Sequence, residues 1–276
     1  MNKIKALFFD LDGTLLDPQK KITHQTRKTL EACKTGNIKL FIATARPPLL
    51  DKMLSWDDKT LSLFDGGVYY NGGCVIVDGK KTYTPISDDI VQKSIRHVKQ
   101  YENLNIALQL EHEKHAFRFP LDKRGYRGWG VPAENALNLK GAKGLHTVKI
   151  LVFYSNLIDS VVPVDKALVE TLAKLCRDTA QFYLTDKEAC VQIMAQGVNK
   201  HRGIEKIRAY LGYEKNEIAV FGDDVNDIEV LAEYENSIAM GNAECIVKER
   251  ARYITLDNEN DGVHHGICNI LKLVKA

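Results

Sequence analysis

The chain has 276 residues, 45% of them hydrophobic and 27% charged, which suits about two soluble domains with cores large enough to need no disulfide or structural metal. With 38 basic against 36 acidic residues the net charge is only +2, so composition gives no support for a nucleic-acid or membrane-surface partner. An anionic ligand must therefore be held by local charges.

The six cysteines (Cys33, Cys74, Cys176, Cys190, Cys245, Cys268) are scattered, without C-x-x-C spacing, and read as free, mostly buried thiols of a reducing compartment. The apolar run Ala6-Leu7-Phe8-Phe9 is cut by Asp10 and Asp12, well short of a signal-peptide core. No apolar stretch approaches the ~20 residues that span a bilayer. The expectation is a cytoplasmic protein.

Ile4 to Leu11 is an apolar run ending in carboxylates and a glycine, the pattern of a strand buried on both faces of a parallel sheet. His24 to Thr35 has helical periodicity and stops at Gly36. Ile38 to Ala43 and Val68 to Tyr70 are further buried strands, and strand, helix, strand at this spacing implies a right-handed crossover in a doubly wound α/β domain. From about residue 86 the style changes. A helix over Asp88 to Tyr101 precedes the close strands Asn105 to Glu111 and His115 to Phe119, then a Gly- and charge-rich stretch from Asp122 to Gly144. Val148 to Tyr154 reads as a strand, Val164 to Arg177 as a helix, and Gln181 to Thr185 with Cys190 to Met194 as a closing pair. Helices beside short paired strands suggest an α+β unit. Alternation then resumes with a helix from Lys200 to Leu211, a strand from Glu217 to Phe221, a helix over Asp227 to Tyr234, and short strands at Ser237 to Met240 and Arg252 to Thr255. The expected organisation is a core of residues 1–85 and 193–276 interrupted by an inserted α+β unit of residues 86–192.

Phe8-Phe9-Asp10-Leu11-Asp12-Gly13-Thr14-Leu15 lies where a core strand gives way to a loop, the place where open α/β sheets bind ligands. Two carboxylates so close favour a bound cation or else one raised pKa. Gly13 permits close backbone approach and Thr14 offers a hydroxyl. By itself the motif fits an acidic turn equally well. Phe41-Ile42-Ala43-Thr44-Ala45-Arg46-Pro47 puts a hydroxyl at the end of the second strand, as an N-cap or as a ligand to phosphate beside the backbone amides of an expected helix start. Lys200 stands at a predicted helix start, unfavourable for a cation unless an anion lies nearby. Alone it reads as a solvated surface lysine. Phe221-Gly222-Asp223-Asp224-Val225-Asn226-Asp227 closes a fourth apolar strand with hard oxygen donors that suit Mg²⁺, or a solvated turn.

In this order the four segments resemble the four motifs of the haloacid dehalogenase (HAD) superfamily. Asn71-Gly72-Gly73, Ala239-Met240-Gly241-Asn242-Ala243 and Asn260-Asp261-Gly262-Val263 narrow the resemblance to its Cof-type, sugar-phosphatase-like branch. The resemblance implies a Rossmann-like core with an inserted cap, and a Mg²⁺-dependent phosphatase of small phosphorylated metabolites; a monomer or weak homo-oligomer is expected, although the sequence leaves oligomeric state open. It makes Asp10 the nucleophile that forms an aspartyl-phosphate and Asp12 the general acid and base. The metal would be held by the Asp10 carboxylate, the Asp12 main-chain carbonyl and the Asp223 carboxylate. Thr44 and Lys200 would hold phosphoryl oxygens, with Ala45, Arg46, Asn71, Gly72 and Asn226 lining the substrate and Asp227 orienting the metal shell and Lys200. A phosphomutase with the same nucleophile and a non-catalytic phosphometabolite-binding regulator are the rival readings. This chain departs from the pattern by placing His201 and Arg202 between Lys200 and Gly203.

Other groups carry less. Arg118, Arg124, Arg127 and Lys149 are cap cations that either touch substrate or, in most cases, face solvent. His112-x-x-His115 reads as a surface turn rather than a metal pair, and His264-His265 as surface. Absence of G-x-S-x-G, Walker and G-x-G-x-x-G motifs removes the usual hydrolase, NTPase and dinucleotide alternatives.

Overall fold

A computed structural model describes residues 4–154 and 162–275. The strands in chain order are β1 (Ala6–Phe9), β2 (Lys39–Ala43), β3 (Gly66–Tyr69), β4 (Cys74–Val77), β5 (Lys80–Tyr83), β6 (Leu104–Leu110), β7 (His115–Phe117), β8 (Ala136–Asn138), β9 (Thr147–Tyr154), β10 (Ala180–Thr185), β11 (Cys190–Ala195), β12 (Ile218–Gly222), β13 (Asn236–Ala239) and β14 (Tyr253–Ile254). They form two sheets in two compact units. One unit holds the described residues up to Ala45, Trp56–Thr82 and those from Lys200 onward; the other holds Arg46–Ser55 and Tyr83–Asn199. Residues 46–55 group with the second unit, apart from the chain on either side of them. Packing explains this: a Cβ on Gly130 would lie 2.3 Å from Met53 Cγ, so the helix Leu50–Met53 sits hard against the end of the helix Lys123–Trp129.

The first unit is an eight-stranded sheet in the order β14-β13-β12-β1-β2-β3-β4-β5, parallel from β14 to β3, with β4 running antiparallel to β3. The doubly wound, mostly parallel α/β core read from the sequence is met. Alternation along β1 sends Phe8 to one face, stacked on Phe41 at 4.9 Å, and Phe9 to the other, against Phe221 at 5.2 Å. Both are essentially excluded from solvent, as a strand covered on both sides requires. Ile204 and Ile207 of the helix Lys200–Leu211, with Val230 and Leu231 of Ile228–Glu233, close the face that carries Phe8. Gly266 approaches the Phe221 ring on the opposite side.

The expected third strand extends to Tyr70, with no further strand expected before residue 86. Instead the chain reverses there. Tyr70, Asn71 and Gly72 all have positive φ (52°, 54° and 103°), and the apolar run Cys74–Val77 returns antiparallel to β3. Asparagine and glycine tolerate the left-handed region, which makes so abrupt a turn affordable.

The second unit is a six-stranded sheet, β10-β11-β9-β6-β7-β8, antiparallel apart from the β7–β8 pair. Ile90, Val91 and Val98 of the helix Asp88–Val98, with Leu168 and Leu172 of Lys166–Cys176, pack on Ile106, Leu108, Ile150, Val152 and Ile193. The Gly- and charge-rich stretch contains two elements the sequence did not reveal, the helix Lys123–Trp129 and β8. Gly125 and Gly128 lower helix propensity there. Tertiary contact compensates, because Trp129 packs against His115, Phe117 and Phe153 with centroids 5.3–6.0 Å apart.

Three surface expectations need correction. His115 is fully buried on β7, its Nδ1 on the Glu113 carbonyl and its Nε2 toward Gln109 Nε2, both at 3.2 Å. His264 and His265 are half-buried and bond to Thr29 and Thr255. Of the cap cations only Arg124 and Arg127 are exposed. Lys149 is 2% exposed, and Arg118 donates to the carbonyls of Val98, Tyr101 and Leu104. No helix among the described residues is long and apolar enough to cross a membrane, and all six cysteines are free, four of them buried.

Candidate active site

Register places the acidic loops. Phe9 pairs with Phe221 on one side and Ile42 on the other, so Asp10, Asp223 and Thr44 emerge at the carboxyl ends of three adjacent parallel strands, β12, β1 and β2. The Asp10 amide donates to the Phe221 carbonyl at 3.0 Å, which extends the ladder to Asp10 itself. Side-chain oxygens of Asp10, Asp223 and Asp227 lie within 4.8 Å of one another.

Lys200 begins its helix directly above this cluster. It is 1% exposed, and its Nζ donates to Asp10 Oδ1 at 2.6 Å and to Asp227 Oδ1 at 2.8 Å. Burial alone would lower the ammonium pKa, but attraction to Asp10 and Asp227 outweighs it and the net direction is upward. The surface-lysine reading thus gives way to a buried lysine whose charged form the two carboxylates favour. The helix reaches this position because Gly203 lets it approach β3: a Cβ there would fall 2.4 Å from Val68 Cγ1. The displaced glycine of this chain serves packing, one turn into the helix.

Asp227 is committed before any ligand arrives. Its second oxygen accepts from the amides of Asp223 and Asp224 at 3.1 and 3.3 Å. Asp223 is different. Burial and then the neighbouring Asp227 push its carboxyl up to about 7, opposed by a 2.6 Å bond from Thr14 Oγ1. Burial likewise raises Asp10 against the pull of Lys200. A set of hard oxygen donors carrying more negative charge than one ammonium offsets is the arrangement a small divalent cation relieves. The residues present fit Mg²⁺ with Asp10 and Asp223 as carboxylate donors, while the bonds of Asp227 assign it to Lys200 and the backbone.

Asp12 is half-buried, and Lys20 Nζ donates to its Oδ1 at 2.8 Å. Gly13 has φ +84°, and a Cβ on it would land 2.1 Å from Asp223 Oδ2, so the first and last acidic loops touch only because this residue is glycine. Thr44 is 1% exposed; its amide donates to the Val68 carbonyl and its carbonyl accepts from Asn71 N. Asn226 Nδ2 reaches Asn71 Oδ1 at 3.2 Å, and Asn226 Oδ1 is buried with no partner among the described residues. Thr44, Asn71 and Asn226 therefore form one chain of contacts, with buried Gly72 in the turn beside them. Ala45 follows Thr44 at the unit's edge, and Arg46 belongs to the second unit.

Two residues were left out of the expected site. Thr14 offered a visible hydroxyl but no role, and its bond to Asp223 spans 209 positions in sequence. Asn242 carried part of the family resemblance only; its Nδ2 donates to the Gly13 carbonyl at 2.9 Å and reaches Asp223 Oδ2 at 3.5 Å.

The sequence profile of a family described as haloacid dehalogenase-like hydrolase matches residues 7–267. The chain belongs to this family. Curated relatives include two named 5-amino-6-(5-phospho-D-ribitylamino)uracil phosphatase. YitU of Bacillus subtilis is 26% identical, with 92% of this chain and 93% of the relative covered. YbjI of Escherichia coli is 25% identical, with 98% and 97% covered. Among solved structures, the sugar phosphatase BT4131, of HAD subclass IIB, superposes with a TM-score of 0.79 at 24% identity, covering 98% of this chain and 100% of its own. TM0651 from Thermotoga maritima gives 0.77 at 21% identity, with 99% and 98% covered. These two structures bear on the fold. The expected Cof-type resemblance and the expected enzyme class, a hydrolase of phosphatase type, agree with the family and the relatives.

Proposed function

We propose that this hydrolase is a Mg²⁺-dependent phosphatase of small phosphorylated metabolites that works through an aspartyl-phosphate on Asp10. The observation that carries the reading is the buried contact of Asp10 with Lys200, 2.6 Å, at a strand end beside Asp223. Asp10 would attack phosphorus along the open side of its carboxylate while Lys200 holds an equatorial phosphoryl oxygen and offsets charge in the transition state. The bound cation, held by Asp10, the Asp12 carbonyl and Asp223, would let an anionic nucleophile meet an anionic phosphate. Thr44 and the neighbouring amides of Ala45 and Arg46 would take the remaining oxygens, with Asn71, Gly72 and Asn226 at the same edge. Asp12 would protonate the leaving oxygen and afterwards take the proton of the attacking water. The first unit is then the catalytic core and the second the inserted α+β cap.

Sugar phosphates head the substrate class. YitU and YbjI are named for a phosphorylated ribityl compound and BT4131 as a sugar phosphatase, all phosphomonoesters on a polyol or sugar. Free thiols support a reducing, cytoplasmic compartment, and a net charge of +2 gives no support for a nucleic-acid partner; the protein is taken to be monomeric or weakly associating. The test is phosphate release from sugar phosphates, the phosphoribitylamino-uracil, nucleotides, pyridoxal phosphate and flavin mononucleotide, with and without Mg²⁺. Hydrolysis that needs Mg²⁺ and disappears in Asp10→Asn is expected. Isomerised ester without free phosphate would instead mark a mutase, and tight binding without turnover a regulator.

A further inference from the structure

We propose that Asn242 is a positioning residue that sets the spacing of the two acidic loops and holds Asp223 ready for the cation; the inference rests on the reading above. Its side chain is exposed, yet three hydrogen bonds fix it. Nδ2 donates to the Gly13 carbonyl at 2.9 Å and reaches Asp223 Oδ2 at 3.5 Å, while Oδ1 accepts from the Asn258 amide at 3.1 Å. One amide group thus spans the loop after β1, the loop after β12 and the segment after β14.

Asn242 itself stands on a braced backbone. Gly241 N donates to the Leu256 carbonyl at 3.0 Å and the Gly241 carbonyl accepts from Lys248 Nζ at 2.6 Å. Asn258 Nδ2 donates to the Leu16 carbonyl at 2.7 Å, so the same segment also grips the far end of the first loop. Asp223 is left with one oxygen on Thr14 and the other toward Asn242. A carboxylate beside Asp227 with both oxygens aimed by neutral donors needs little rearrangement to accept a cation. Gly13 needs its carbonyl held as well, because the loop approaches Asp223 so closely that only a glycine fits. Alanine at 242 would free both loops at once without touching Asp10, Lys200 or the protein core.

The experiment uses the full chain without substrate. Mn²⁺ is titrated while the electron paramagnetic resonance of free Mn²⁺ is followed, alongside the metal-free thermal midpoint. Asn242→Ala, and equally Asn242→Ser, should weaken Mn²⁺ binding by about tenfold, the usual effect of removing an outer hydrogen-bond partner of a ligand. Asn258→Ala keeps the backbone amide that anchors Asn242, so it should lower the midpoint at least as much while leaving Mn²⁺ affinity unchanged. Wild-type affinity in both Asn242 variants overturns the inference, as does an equal loss of affinity in Asn258→Ala, which would place the effect in the general anchoring of the first loop and not in the Asn242 bridge between Gly13 and Asp223. If the wild-type chain hydrolyses esters with Mg²⁺ and only these comparisons fail, the phosphatase reading stands alone. If the wild type binds no Mn²⁺, both fall.

Discussion

Lys200 Nζ donates to Asp227 Oδ1 at 2.8 Å, and the other oxygen of that carboxylate is held by two backbone amides, so Asp227 locks the lysine against Asp10. Breaking such a buried pair leaves a charge uncompensated and typically costs about 3–5 kcal/mol. Asp227→Asn should therefore lower unfolding stability by roughly 3 kcal/mol and turnover by at least about tenfold. Urea unfolding and a phosphate-release assay on one preparation check both, and an active, fully stable variant would contradict the assignment.

Gly13→Ala places a methyl where Asp223 Oδ2 lies and forces a side chain onto φ +84°. The first and last acidic loops must then part. The expected result is a loss of Mg²⁺-dependent hydrolysis of about a hundredfold, with a higher Mg²⁺ requirement, since metal sites lose 10–100-fold when ligand geometry is disturbed. The dependence of rate on Mg²⁺ concentration measures it.

Gly203→Ala drives a Cβ to 2.4 Å from Val68 Cγ1. Overpacking of this kind costs about 1–3 kcal/mol and would push the helix that carries Lys200 off β3. Val68→Ala removes the opposing methyls, so the double variant should recover stability and activity together. If the second change adds to the loss, helix approach is not what Gly203 provides.

His115 makes the second unit acid-sensitive. Burial lowers its pKa from 6.5 to about 4, only partly opposed by the Glu113 carbonyl. Between those values the unfolded chain takes up a proton that the folded chain refuses. Stability is therefore complete above pH 6.5 and falls as pH drops toward 4, by up to roughly 3 kcal/mol from this one group. His115→Gln, which cannot titrate, should show a shallower fall in urea midpoint over that window; a slope equal to wild type would disprove the role.

Much of the core site was legible because its residues sit where apolar runs stop. Asp10, Thr44 and Asp223 each end a buried strand, and strand ends in open α/β sheets converge. Lys200 was legible as an oddity, a cation at a helix start, and the carboxylates explain it. What escaped notice depends on distance in sequence. Thr14 and Asn242 are ordinary turn residues until folding brings Asp223 beside them. The β4 strand was hidden by a reversal that needs three consecutive left-handed residues, a conformation no periodicity announces. His115 does not announce its burial in the sequence, because the β7 face it shares is polar and aromatic and the helix covering it carries two glycines.

β1 is the middle of its sheet, yet its two neighbours reach it at very different times. Leu7 pairs with Leu40 on one side and with Ala219 on the other. During synthesis at about 5–20 residues per second, one edge of the most apolar strand waits on the order of ten seconds or more for its partner. An unpaired apolar edge is a template for other chains. Newly made protein should thus be most prone to clumping before Ile218–Gly222 leaves the ribosome, and fragments ending short of that strand should collect as insoluble material whatever becomes of the finished enzyme.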